Sequence, residues 1–393
     1  MTRNRALTLL VLATIAVVAL LSATRADAIP AFARKYQFSC STCHAPFPRL
    51  KPFAEEFAGR GFHMEDPSKE PARATYDVGD PSLKLFRELP LAIRMDFFSS
   101  YKQDAVAEAD FEWPWSLKLL SGGPISDSVS YYFYGILEQG ESIKLEDTFL
   151  QFSAVLGLPV DMTIGQFQVS DPLFKRELRL ERADYSIFKV RVGDSPTDLT
   201  YDRGLILTWH APAKVDVIAE ILNGNGIEPA QDDNFDDNTA KNTALRVSRW
   251  FGPVRLGALA YEGKTTQAGA ENHISYLGPD LVANLGPNWQ LNACFLERRD
   301  DNPYFAPSTA GLDDIVTRGG FAELLFFPKG QDGRWVLAAL YNKVTSDDEL
   351  VPQENASLTL NYLLARNMRF LAEAAHDFEE DTNRLTVGIV TAF

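Results

Sequence analysis

The chain has 393 residues, 23% charged and 46% hydrophobic, with 25 Gly, 22 Pro and 26 Phe. That balance excludes collagen-like, coiled-coil and low-complexity chains and predicts a folded protein with a core. The formal net charge of −15 argues against nucleic acid as a partner, because duplex binding rests on Lys and Arg neutralising phosphates, whereas cations suit such a chain.

Arg3 and Arg5 precede an apolar run from Ala6 to Leu21, and Ala26-Asp27-Ala28 then offers the small-x-small pattern of a signal-peptidase site. Residues 1–28 are expected to be a signal peptide removed before Ile29, since the run is short for a membrane span of about 20 residues. No later stretch could form a spanning helix. The exported remainder is then either soluble or a membrane β-barrel, the other structure that satisfies every backbone hydrogen bond in lipid.

Two of the three cysteines lie in Cys40-Ser41-Thr42-Cys43-His44, the CxxCH pattern of covalent c-type haem attachment. Residues three apart on one helical turn share a face, so both thiols can add to the two vinyl groups while His44 presents its imidazole to the iron. The alternatives are a dithiol redox pair, or half of a zinc site with His63. Leu50, Phe53 and Phe57 follow at helical spacing and predict an apolar helix face, which either covers one face of a haem, forms the core of a short helix, or does both. Residues 29–85, the expected haem segment, are too few to bury a porphyrin alone.

From Leu89 onward, runs of about ten residues alternate at period two, the length of a tilted transmembrane strand. Sixteen strands are predicted, starting near 89, 110, 127, 144, 158, 198, 214, 240, 253, 271, 287, 314, 333, 355, 367 and 382. Residues 86–393 therefore read as an all-β barrel of about sixteen antiparallel strands, with the helical haem segment as its plug. Short connections at 122–126, 156–157, 211–213, 251–252, near 286, 328–332 and 366 alternate with longer ones such as 169–197, 225–239 and 299–313. Trp209, Trp250, Trp289 and Trp335 fall at strand ends on the short-turn side, as an aromatic girdle would. Gly278-Pro279 interrupts the tenth strand. A soluble β-sandwich is the competing reading.

For a sixth iron ligand, parity places Met95, Met162, Met368 and His376 on lipid-facing sides. The same argument points His210 inward at the short-turn end and His273 inward at the other mouth. His63 and Met64 stand about twenty residues beyond the motif, so the candidates in order are His63, Met64 and His210, or a vacant or water-bound site. Cys294 is expected to be a packed luminal thiol. The connection carrying Glu228, Asp232, Asp233, Asp236 and Asp237 either concentrates cations at the mouth or shares divalent ions with surface lipid.

Ile29-Pro30-Ala31-Phe32-Ala33-Arg34, the single CxxCH, the following Pro48, Leu50, Phe53, Phe57 and Gly61, and a last strand ending on Phe393 resemble the fused monohaem cytochrome and porin family, whose best-known members are outer-membrane iron oxidases. The resemblance implies one covalently bound haem c, attached by Cys40 and Cys43 and ligated by His44, in a plug inserted from the periplasmic side of a bacterial outer membrane. It implies an oxidoreductase role, with electrons passing from extracellular Fe(II) to a periplasmic c-type cytochrome. Electron export to an external acceptor, a donor other than iron, and a haem-plugged porin that gates or senses remain open. In porins the third loop commonly folds into the lumen; here it would bring Arg176, Arg179 and Arg182 toward haem propionates, unless it is a solvated surface loop.

Overall fold

A computed structural model describes residues 31–69, 75–76, 78–80, 83, 85–86, 90–230, 233–236, 238–307 and 313–393. The expected signal peptide lies outside them. Three short helices come first, α1 (Ala31–Tyr36), α2 (Cys40–Cys43) and α3 (Pro52–Gly59), followed by a ribbon of β1 (Thr75–Tyr76) and β2 (Leu85–Phe86). Sixteen longer strands then run from β3 (Leu91–Lys102) through β4 (Ala109–Pro124), β5 (Val129–Glu138), β6 (Lys144–Phe152), β7 (Val160–Gln168), β8 (Tyr201–Ala211), β9 (Val215–Leu222), β10 (Asn242–Phe251) and β11 (Val254–Gln267). The ring continues with β12 (Ala270–Asn284), β13 (Trp289–Asp300), β14 (Ile315–Phe326), β15 (Trp335–Ser346), β16 (Gln353–Ala365), β17 (Met368–Asp377) and β18 (Thr382–Ala392).

Every barrel strand pairs antiparallel with its sequence neighbours, and β18 closes on β3 with Ile389 opposite Phe97. The result is a closed barrel of sixteen strands, each starting within three residues of its expected position. At the turn end no connection exceeds eight residues. The other mouth, the loop end, carries the three long connections 169–200, 223–241 and 301–314, but its remaining connections are as short as those of the turn end, down to a two-residue turn at 268–269, so the expected alternation holds only for the long loops.

Alternation along β10 shows how the sequence sorts its faces. Asn242, Ala244, Arg246 and Ser248 are buried in the lumen, while Thr243, Leu245, Val247 and Arg249 face outward and are exposed. Such inverted polarity suits a barrel in lipid, where apolar side chains cover the outside and polar groups must pair within. The luminal Arg246 accordingly reaches Asp280 of β12 at 2.6 Å.

Three of the four tryptophans at the turn end, Trp209, Trp289 and Trp335, stand 41–47% exposed on the outer face. Trp250 departs from the expected girdle: it shares the luminal parity of Arg246 and Ser248 and packs on the interior cluster, and Phe251 takes the outer position. Parity also corrects His273. Asn272 and Ile274 are the buried luminal residues, so His273 points outward, where Asp301 holds its Nδ1 at 2.8 Å.

Gly278-Pro279 does not break β12, which keeps its register with β13 from Ile274 opposite Asp300 to Asn284 opposite Gln290. A Cβ on Gly278 would stand 1.9 Å from the Phe295 carbonyl oxygen, so the strands approach closely there because that side chain is absent.

The connection 169–200 folds into the lumen. Tyr185, Ile187, Phe188, Val190 and Val192 are almost wholly buried against Phe321, Tyr261 and Tyr276 of the wall, and Tyr185 stacks on Phe321 with ring centroids 3.9 Å apart. Burying each such side chain contributes roughly 1.5–3 kcal/mol. At its base Arg298, with no exposed surface, grips Asp300 through two nitrogens and donates to the carbonyls of Val190 and Thr197 and to the Tyr276 hydroxyl. The polar side chain thus pins an inward loop to the wall.

Candidate functional site

The three helices and the turns between them occupy the turn end of the barrel. Phe32 and Tyr36 of α1 meet Phe57 of α3 edge-on, and Phe32 stacks on Phe62. Leu50 departs from the expected helical face: it precedes α3 and instead bridges His44 in extended conformation, while Phe57 is buried and Phe53 is 36% exposed. Lys51 and Pro52 start the helix at 52, because proline is accommodated at a first helical position and not further in.

Polar contacts seat this plug around the rim. Arg49 donates to Gln290 of β13 and lies 3.5 Å from Glu323 of β14. Lys51 pairs with Asp332 at 2.6 Å in the turn after β14, and Arg34 donates to the Leu91 carbonyl at the start of β3. On the opposite side Gln151 of β6 donates to the Gly59 carbonyl. Gly61, with φ of +65°, comes so near β5 that a Cβ would meet the Ser130 hydroxyl at 2.4 Å. Apolar contacts complete the seat. Ala45 packs with Leu180 at the tip of the inward loop and with Leu325, Phe327 and Val336, and Phe47 packs on Phe98, Leu371 and Val390.

Within the plug, α2 carries Cys40 and Cys43 one turn apart, both half-buried and neither in a disulfide. The Ser39 hydroxyl caps the turn by accepting from the Ser41 amide. Burial raises both thiols, and Cys43, with Cys40 beside it, is pushed up to about 11. A redox-active dithiol needs a thiolate, which this setting disfavours. The His44 Nδ1 donates to the Pro48 carbonyl at 3.0 Å, with the Arg49 carbonyl at 3.3 Å. Its Nε2 makes no hydrogen bond among the described residues, and burial lowers its basicity, keeping the ring neutral. Fixing one imidazole nitrogen on a carbonyl while the other is left bare is how proteins orient a metal-binding histidine. Two protonated thiols and one oriented imidazole fit the requirements of covalent haem attachment.

No protein-family model matches the chain, and no curated protein matches it in sequence. Solved structures do share its fold. An anion-selective porin from Comamonas acidovorans superimposes with a TM-score of 0.57 at 12% identity over 78% of this chain and 99% of that one. The outer membrane channel DcaP of Acinetobacter baumannii gives 0.57 at 11% identity over 78% and 97%, and a loop-deleted OmpT of Vibrio cholerae 0.54 at 12% over 78% and 99%. The barrel is porin-like. At such identities the likeness shows the fold alone.

The other residues singled out from sequence are distributed around this porin-like barrel. His63 and Met64 lie in the plug just after Phe62, both half-buried. His210 is set apart from them: it faces the lumen at the turn end of β8, where Asp161 and Asp216 hold its two ring nitrogens at 3.0 and 3.2 Å, leaving neither for iron. Among the described residues, no group of three or more His, Cys, Asp or Glu side chains gathers as a metal site. Arg176 and Arg179 are drawn to Asp184, and Arg182 reaches Glu112 at 2.6 Å, so these three are held by carboxylates. Asp236 in the acidic connection is bound by Lys241 and Asp233 has φ of +65°; Asp232 and Asp237 lie outside the described residues. Cys294 is buried on the luminal face, as parity required.

The inward loop fills the lumen on the side of β10 to β15. On the other side a vestibule of about 650 Å³ runs from Lys102, Gln139 and Glu380 near the loop end down to Arg94, Arg369 and Leu371. Leu371 also touches the cluster that receives Phe47, so the vestibule floor lies against the plug. The seat formed by Arg49, Lys51, Glu323 and Asp332 had no sequence motif; the cations Arg49 and Lys51 follow the CxxCH only after Ala45-Pro46-Phe47-Pro48.

Proposed function

We propose that the chain is an outer-membrane electron carrier, in which Cys40 and Cys43 hold one covalent haem c and His44 binds its iron, oxidising extracellular Fe(II) and passing electrons to a periplasmic c-type cytochrome. The observation that carries this reading is His44, with Nδ1 on the Pro48 carbonyl and Nε2 bare, one residue from paired free thiols. When bound, the haem supplies a one-electron couple, so no acid, base or nucleophile is required of the chain.

The remaining work belongs to the protein. Tyr36, Phe38, Phe53, Phe57 and Phe62 supply apolar cover, and the barrel wall supplies the rest of the burial that a short segment cannot provide. The barrel fits a bacterial outer membrane with the turn end periplasmic, which gives the plug access to periplasmic carriers. A hydrocarbon layer of about 30 Å separates the two faces. The vestibule opens at the loop end and its floor touches the plug, which gives a dissolved donor a way toward it from outside.

The test uses outer-membrane vesicles, with Fe(II) or a membrane-impermeant oxidant added outside while haem absorbance is recorded. Rapid reduction by Fe(II), lost in His44→Ala, supports iron oxidation. Response to the oxidant alone reverses the direction of transfer. Silence to both leaves a haem-plugged porin with a gating or sensing role.

A further inference from the structure

Buried arginines in this lumen share a habit. Arg94 turns Nε and Nη2 onto the two oxygens of Asp96, both at 2.9 Å, Arg246 does the same to Asp280 and Arg298 to Asp300. That edge of the guanidinium matches the spacing of two carboxylate oxygens.

Arg369 breaks the pattern. Its Nη1 donates to the Leu180 carbonyl at 2.7 Å and the Asn361 side chain at 2.6 Å, which fixes the group in place. Neither Nε nor Nη2 makes a hydrogen bond, Nε is buried, and no carboxylate lies within ion-pair distance. The residue is 2% exposed and lines the vestibule at its floor. The Nε and Nη2 edge of a guanidinium so withdrawn from water has lost hydration that no hydrogen bond of the chain replaces.

None of the neighbouring carboxylates pairs with Arg369. Val390 of β18 lies opposite both Arg369 and Asp96, so these two face the lumen across one strand. Asp96 is filled by Arg94 and by the Ser116 hydroxyl at 3.1 Å. Glu373 serves Arg384, Thr359 and the Arg182 amide. Glu181 accepts from the Leu180 amide and makes no ion pair among the described residues. Arg94 therefore has Asp96 to itself, and Arg369 keeps an unpaired edge, with Asp96, Glu181 and Glu373 nearby but none within ion-pair distance.

We propose that the free edge of Arg369 is a binding site for a small oxoanion of the carboxylate or phosphate class, entering from the loop end. The site is independent of any haem in the plug. It places a negative ligand, or a metal carried by a carboxylate chelator, against the luminal side of the plug.

The test titrates the full chain in detergent micelles with inorganic phosphate and, separately, with citrate, following the fluorescence of tryptophan, since Trp115 lines the same vestibule. Saturable binding is expected for at least one of the two, and the tighter one identifies the class. Arg369→Gln should weaken it about tenfold or more, and Arg369→Lys should recover only part, because a point charge lacks the two-nitrogen edge. Asp96→Asn, which frees the same edge of Arg94, should tighten it. Absence of saturable binding, or equal affinity in wild type and Arg369→Gln, overturns the proposal. Should Arg369→Gln not fold, as judged by heat-modifiable mobility on gels, failure of Asp96→Asn to tighten binding overturns it instead.

Discussion

Arg49 of the plug lies 3.5 Å from Glu323 of the barrel wall, a carboxylate with no exposed surface. Glu323 also accepts from Asn292 and, at 2.7 Å, from the Tyr185 hydroxyl, so one carboxylate joins plug, wall and inward loop. Replacing it by Ala strands a guanidinium and a buried hydroxyl together. A loss of about 3–5 kcal/mol is expected on urea unfolding from lipid vesicles, the usual range for breaking a buried pair from one side. The plug should become cleavable by added protease before the barrel does; equal resistance to wild type would argue against the tether.

Arg298 predicts a different failure. Arg298→Met keeps the volume but leaves Asp300 buried without its cation and releases the carbonyls of Val190 and Thr197. The barrel should persist while residues 169–200 become accessible to trypsin. Arg298→Lys should not restore resistance, because three donors on one ammonium cannot reproduce the planar fork.

Two glycines give an internal contrast. Gly278→Ala forces a methyl group toward the Phe295 carbonyl and should cost about 1–3 kcal/mol, as overpacking does. At Gly59 in α3 a Cβ meets nothing within 4 Å, so Gly59→Ala should be neutral or stabilise by about 0.5–1 kcal/mol. Denaturant midpoints for the pair measure both.

The pH dependence of plug seating has a worked sign. Hydrogen bonding and charge from Lys51 lower the pKa of Asp332. A lowered carboxyl pKa means its contribution is present above the ordinary aspartate range and is lost as pH falls through the lowered value. Plug protection from protease should therefore hold at neutral pH and decline in strong acid, and Asp332→Asn should remove that part of the decline.

Haem attachment at this motif, as proposed, is testable by single replacements. Cys40→Ser or Cys43→Ser should each leave one thioether and a shifted haem spectrum, whereas the double variant should carry no haem on a denaturing gel stained for peroxidase activity. A double variant that still stains would exclude this motif as the attachment point.

Much of the barrel was legible because lipid outside and polar side chains inside impose strict period-two alternation, and turn residues punctuate it; β12 survived its Gly-Pro for the reason seen at Gly278. Facing was less secure where both faces carry similar residues. Trp250 and His273 were misplaced since a strand end offers few neighbours to fix parity. In the site, the CxxCH stood out as a local pattern, and the structure sets its two thiols one turn apart with His44 beside them. Arg49 and Glu323 are 274 residues apart in sequence, and Arg369 gains its character only from what other residues do not offer it, so no local pattern could mark either.

Closure of β18 on β3 carries a consequence for biogenesis. The strand next to the plug has one ladder edge left open until the far end of the chain arrives. The same seam also touches the plug: Arg34 donates to the Leu91 carbonyl of β3, and Phe47 packs on Val390 of β18. Closing the ring and completing part of the plug's seat therefore draw on the same two strands, so a defect at the seam should loosen both.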